Sequence, residues 1–159
     1  MDIKVLCVGK LKESYWTEAM SEYSKRLGKY CSLGIIEVKE EKAGDNPSNA
    51  EELAIVGAEG RRLGNMSKEG SYRIALDIKG KALSSEELAV KMEDLRLQGR
   101  SSVEFFIGGS LGLSSEVLEG ADLRLSFSKL TFPHQMMRVI LLEQIYRSFR
   151  IARNEPYHK

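Results

Sequence analysis

Five short, mostly apolar runs, at residues 3–8, 33–38, 72–78, 103–107 and 123–126, alternate with longer stretches of helical spacing. That alternation constrains the fold more than any other feature. A helix between two strands returns the chain to the same end of the sheet, so successive strands run parallel. The run 103–107 reads as a strand buried on both faces. Ser14 opens a helix to about residue 30, with Trp16, Met20, Tyr23 and Leu27 on one face. Ser48 or Asn49 opens a second, to about residue 63, whose face includes Leu53 and Val56. Ser84 or Ser85, followed by Glu86 and Glu87, opens a third that Gly99 stops, with residues 88–97 as its body. A short helix at 114–119 and a long one from Pro133 to about residue 152 complete the series. The expectation is an α/β fold with a mostly parallel sheet covered by helices on both faces. The 159 residues form one domain, 1–159, long enough for a core without staples. The polar stretch 40–47 is a loop.

No apolar run reaches the roughly 18–20 residues of a membrane span. The first residues read as a strand, without the basic start and cleavable apolar segment of a secretory signal. Cys7 and Cys31 have neither metal-ligand spacing nor a disulfide framework. Cytoplasmic location and no metal are the resulting expectations. The net charge of +1 is uninformative, but its distribution is not. From Arg124 onward seven Lys or Arg stand against Glu143 and Glu155, leaving +5 there and −4 before it. Such asymmetry points to an anionic partner, set against the plainer reading of a solvated helix face.

Ligands of open α/β sheets bind beyond the carboxyl ends of strands. The first such end, Val8-Gly9-Lys10, lacks a dinucleotide fingerprint, and the second, Leu76-Asp77-Ile78-Lys79-Gly80, offers one acid. At Ile107-Gly108-Gly109-Ser110-Leu111-Gly112 the glycines permit a close approach to bare backbone, or simply a tight turn. The segment Ser126-Phe127-Ser128-Lys129-Leu130-Thr131-Phe132-Pro133-His134 lies between a strand and a helix. Its apolar side chains and backbone polar groups suit a flat heterocycle. His134 reads as packing within that loop rather than as a catalytic group. The last helix is apolar nearly all round from Met136 to Ile145, so it is buried on more than one side, against its own sheet and a second subunit. Further on, Glu143 can pair with Arg147, leaving Arg150 and Arg153 available for phosphates.

Taken together, FFIGGSLG, LSFSKLTFPHQMMRVILLEQIYRSFRI and NEPYHK resemble the RlmH family, SPOUT-class methyltransferases of bacteria, from the IKVLCVGK start to the PYHK finish. The resemblance implies a C-terminal trefoil knot, a homodimer and S-adenosylmethionine as cofactor. It implies donor contacts at Leu76, Gly108, Phe127, Ser128, Lys129, Leu130, Thr131 and Phe132. Leu76 comes from the resemblance alone. The implied reaction is methylation of N3 of a pseudouridine in 23S rRNA within the assembled ribosome. A base must take the N3 proton; Tyr157 and His158 on the tail are the candidates, facing the donor of the other subunit, with Arg153 steadying the ring anion. Arg147, Arg150 and Lys159 are the candidate RNA contacts. The alternative is a non-enzymatic ribosome-binding or assembly factor that uses the basic helix. A nucleotide-dependent small-molecule enzyme lacks its phosphate-loop or dinucleotide signature here.

Overall fold

The computed structural model describes residues 1–157. Its elements follow the order β1 (Asp2–Val8), α1 (Ser14–Leu27), β2 (Ser32–Val38), α2 (Asn49–Met66), β3 (Tyr72–Ala82), α3 (Ser85–Leu97), β4 (Ser102–Ile107), α4 (Ser115–Glu119), β5 (Leu123–Ser126) and α5 (His134–Ala152). The five strands form one sheet in the order β2-β1-β4-β3-β5. Every pairing is parallel, with Ile3 beside Leu33 on one side and Val103 on the other.

The strand period of two sorts side chains between the faces. Ile3, Val5 and Cys7 of β1, with Val103, Phe105 and Ile107 of β4, meet α1, α3 and α5 through Met20, Leu27, Leu88, Met92, Leu95, Leu141, Leu142 and Ile145. Leu6, Val8, Val38 and Phe106 face the other way, toward Leu63 of α2 and Val117 of α4. Burial pushes the Cys7 thiol up to about 12, which makes it a small hydrophobe rather than a nucleophile. Full capping boxes start α2 and α3, with Ser48 and Ser84 each exchanging hydrogen bonds with the glutamate three residues on.

Four boundaries differ from expectation. α1 stops at Leu27, and Gly28 donates its N–H to Ser24 O. α2 continues through Gly64 to Met66, and its packed face begins at Glu59 and Gly60, leaving Leu53 exposed. Pro133 caps α5 from outside rather than standing in its first turn. β3 runs past Ile78 to Ala82, with a register shift against β5 between Leu76 and Lys81. The extension has a steric reason: a Cβ on Gly80 would lie 2.6 Å from Arg124 O, so only glycine lets β3 pass that close to β5. The shifted residues bulge toward the carboxyl end of the sheet.

Candidate active site

Three loops and one helix end surround a cleft of about 690 Å³ at the carboxyl ends of β3, β4 and β5. The first wall is the shifted part of β3, with Leu76, Asp77 and Ile78. The second is Gly108-Gly109-Ser110-Leu111-Gly112 after β4. That loop closes on itself, since Gly112 donates its N–H to Gly109 O at 3.1 Å. A Cβ on Gly108 would stand 2.4 Å from the carbonyl of Gly112, and Gly112 has φ +82°, so the loop needs glycine at both positions. The third wall follows β5 and carries Phe127, Ser128, Leu130, Thr131 and Phe132. It is pinned locally: Ser126 Oγ donates to Ser128 O at 3.2 Å, and Leu130 N–H donates to Ser128 Oγ at 2.9 Å. His134 and Met137 of α5 close the remaining side.

Most of the lining is apolar, with exposed backbone between. Asp77 is the carboxylate among the lining residues, and Arg124 Nη2 sits 2.6 Å from its Oδ2. Burial works to raise the Asp77 carboxyl, but Arg124 and the Lys79 N–H outweigh it and hold the group below the usual carboxylate range. Burial, helped by the Arg138 guanidinium, holds the His134 imidazole below its ordinary value, so it is neutral at pH 7. Arg138, one turn along α5 from His134, is fully buried. It donates to Val8 O (2.7 Å), Gly9 O (2.9 Å) and Glu37 Oε1 (2.7 Å), fastening α5 to the ends of β1 and β2.

Of the expected donor contacts, Leu76, Gly108, Phe127, Ser128, Leu130, Thr131 and Phe132 line this one cleft. Lys129 does not; it is exposed outside the lining. His134, read from sequence as packing within its loop rather than as a catalytic group, also lines the wall. Its place after Pro133 at a helix start was the available signal. Asp77, the one acid of the strand end 76–80, was given no role from sequence, and Met137 was missed. The cleft falls within the usual 300–1,000 Å³ of a small-ligand site. A ring can lie between Leu76, Phe127 and Phe132, and the bare backbone of the glycine loop can meet polar edges. The residues present therefore fit an adenosyl donor.

The tail lies elsewhere in the same chain. α5 has 19 residues, so its far end is roughly 28 Å from its cleft end. Tyr157 packs edge-on to Tyr146 at 5.0 Å, and its hydroxyl donates to Glu143 Oε1 at 3.3 Å. Arg147 pairs with Glu143 at 2.7 Å, as expected. Arg150 is not left open: its Nη1 lies 2.7 Å from Glu155 Oε2 and 3.3 Å from the Tyr30 hydroxyl. Nor does Arg153 project freely, since its guanidinium sits 4.7 Å over the Tyr30 ring. Local pairing wins because Glu155 is folded back beneath Arg150 by its N–H bond to Arg150 O. His158 and Lys159 lie outside the described residues.

The fold and cleft together define an α/β protein with a ligand-sized cleft at the carboxyl end of a parallel sheet, between a glycine loop and the start of the last helix. Two solved structures share the fold at 12% identity: a probable methylase family protein from Haemophilus influenzae Rd KW20 (TM-score 0.56, 99% of this chain and 70% of that one) and TrmJ from Z. mobilis ZM4 (TM-score 0.50, 100% and 73%). The family described as "Predicted SPOUT methyltransferase" matches residues 1–158, and the chain belongs to it. Two relatives called ribosomal RNA large subunit methyltransferase H are similar along their whole length. That of Clostridium novyi (strain NT) is 57% identical and that of Clostridium kluyveri (strain ATCC 8527) 54%, each over 100% of both chains.

Proposed function

We propose that this methyltransferase uses S-adenosylmethionine to methylate N3 of a pseudouridine in 23S rRNA within the assembled ribosome, in the cytoplasm. One observation carries the reading: the walls of a single cleft gather all but one of the donor positions implied by the resemblance. Full-length similarity to large-subunit rRNA methyltransferases supports the substrate class. The donor supplies a methyl group on a sulfonium centre. Leu76, Phe127 and Phe132 would hold its adenine, and the backbone of residues 108–112 and 128–132 would orient it. Holding donor and acceptor at near-attack distance is the main contribution such a site can make.

The N3 proton needs an acceptor. Tyr157, His158 and Arg153 remain the candidate group, and Tyr157 and Arg153 lie too far from the cleft of their own chain. A second copy, packed against α5, would bring its tail to this cleft. Met136, Ile140 and Ile151 are only partly covered within one chain, which supports such a homodimer. Arg147, Arg150 and Lys159 stay the proposed RNA contacts, Arg150 by exchanging Glu155 for a phosphate. The single-domain organisation over 1–159 and a trefoil knot through which α5 threads belong to the same reading.

Labelled S-adenosylmethionine, incubated with ribosomal particles that lack the modification, should transfer label into 23S rRNA. A chain ending before Asn154 should transfer none while still binding the donor. Ribosome binding without heat on donor titration would instead identify a non-catalytic assembly factor.

A further inference from the structure

The inner face of α2 carries a carboxylate where an apolar residue would be expected. Glu59 is 3% exposed. Its Oε1 accepts the Glu41 N–H at 2.9 Å. Its Oε2 stands 3.2 Å from where a Cβ on Gly109 would lie, so the carboxylate occupies the space behind the glycine loop that a side chain at 109 would enter. Gly109 lines the cleft on its other side, whereas Glu59 does not line it. One turn along α2, Arg62 donates to Lys39 O at 2.8 Å and pairs with Glu41. Two side chains of one helix thus hold residues 39–41, and one of them, Glu59, also lies behind the glycine loop at Gly109.

A buried carboxylate is unfavourable unless its bonds compensate. Burial, followed by the nearby charge of Glu40, pushes the Glu59 carboxyl above its ordinary value, against the Glu41 N–H and Arg62. Neutralising Arg62 does not explain it, because Arg62 takes Glu41 as its partner. What Glu59 uniquely joins is the loop after β2 and the loop after β4.

We infer that Glu59 is a positioning residue of the donor site, bracing the glycine loop from behind and tying it to residues 39–41, so that donor occupancy and the order of the 39–48 connection are coupled. The inference rests on the donor reading given above for the cleft. Donor binding firms the glycine loop, the brace passes this to the Glu41 N–H, and the 39–48 connection becomes more protected.

Calorimetry with S-adenosylmethionine and amide hydrogen exchange test this together. Glu59→Ala should weaken donor binding about tenfold, within the usual range of coupling between sites. It should also speed exchange at Glu41 and at residues 108–112 in the ligand-free chain. Glu59→Gln keeps a carbonyl acceptor for the Glu41 N–H and should restore affinity to within about threefold. Leu63→Val, on the same helix face within the apolar cluster of Leu6, Val8, Val38 and Phe106, should lower Tm and leave donor affinity unchanged. If Glu59→Ala does not fold, Glu41→Pro removes the donated N–H from the loop side and should loosen residues 108–112 likewise. Unchanged donor affinity in Glu59→Ala, an equal loss in Leu63→Val, or faster exchange at Glu41 alone would each overturn the inference. Absence of donor binding by the unmodified chain would overturn the donor reading and the coupling with it, while exchange in Glu59→Ala would still decide whether the brace exists.

Discussion

The two ends of α5 carry the same cationic chemistry and put it to opposite uses. At the amino end Arg138 is fully buried and its guanidinium is committed to two strand-end carbonyls and Glu37. At the carboxyl end Arg147, Arg150 and Arg153 are engaged too, but by side chains near the surface: Glu143, Glu155 and the Tyr30 ring. The first arrangement fastens the start of α5, whose His134 and Met137 line the cleft, to the ends of β1 and β2. The second can be undone at less cost, because its ion pairs are partly exposed and water can replace either partner. A basic count over residues 124–159 therefore mixes a structural bolt with charges that remain exchangeable.

The largest effect should come from the buried end. Arg138→Ala strands the Val8 and Gly9 carbonyls and leaves Glu37 without its ion-pair partner, holding only the Leu11 N–H. Glu37 can still reach water, so a loss of about 3 kcal/mol is expected, at the low end for a broken buried pair. Urea unfolding should show it as a lower midpoint at unchanged slope. Next, Gly108→Ala forces a methyl against the Gly112 carbonyl. Overpacking of this kind costs about 1–3 kcal/mol, and donor titration should give no heat. At the other end, Arg150→Met should cost less than about 1 kcal/mol in the same unfolding assay. If Arg150 also meets a phosphate, the salt dependence of ribosome binding should flatten by about 0.7 in log–log slope. An unchanged slope would leave the carboxyl end merely self-paired.

The smallest effect is a pH dependence at the amino end. The His134 imidazole is held below its ordinary value, first by burial and then by Arg138, with Glu40 opposing. Between the folded and unfolded values the unfolded chain binds the extra proton. Stability from this group is thus present above the ordinary histidine value and is lost as pH falls toward the folded value. His134→Gln should remove that slope from unfolding curves taken across this window, leaving the carboxylate-driven acid transition in place.

The strand and helix count was legible because each element carries its own local signature. Ser48 with Glu51, and Ser84 with Glu87, announce helix starts within four residues. Gly108 and Gly112 are likewise local needs of one turn. Strand order was not legible, because β4 sits between β1 and β3 through pairings distant in sequence. The same distance hid Arg138, Glu59 and Glu104. Glu104 interrupts an otherwise apolar strand, yet is fully buried and accepts from Ser67 Oγ at 2.6 Å and Lys68 N–H at 3.0 Å. Such partners exist only after α2 has docked. The tail shows the converse: NEPYHK was recognisable as a motif, but motif recognition places no atom, and Tyr157 lies beside Tyr146 rather than beside the cleft.

The position of β1 sets a timetable for synthesis. One edge of β1 is satisfied early, because β2 follows by residue 38. The other edge waits for β4, one hundred residues downstream, where Asp2 finally meets Ser102. At about 5–20 residues per second a ribosome takes roughly 5–20 s to cross that gap. For that interval the nascent chain presents an open, apolar strand edge in the crowded space beyond the exit tunnel. An unpaired edge of this kind can add a strand from another chain, and the hazard ends only when β4 takes its place beside β1.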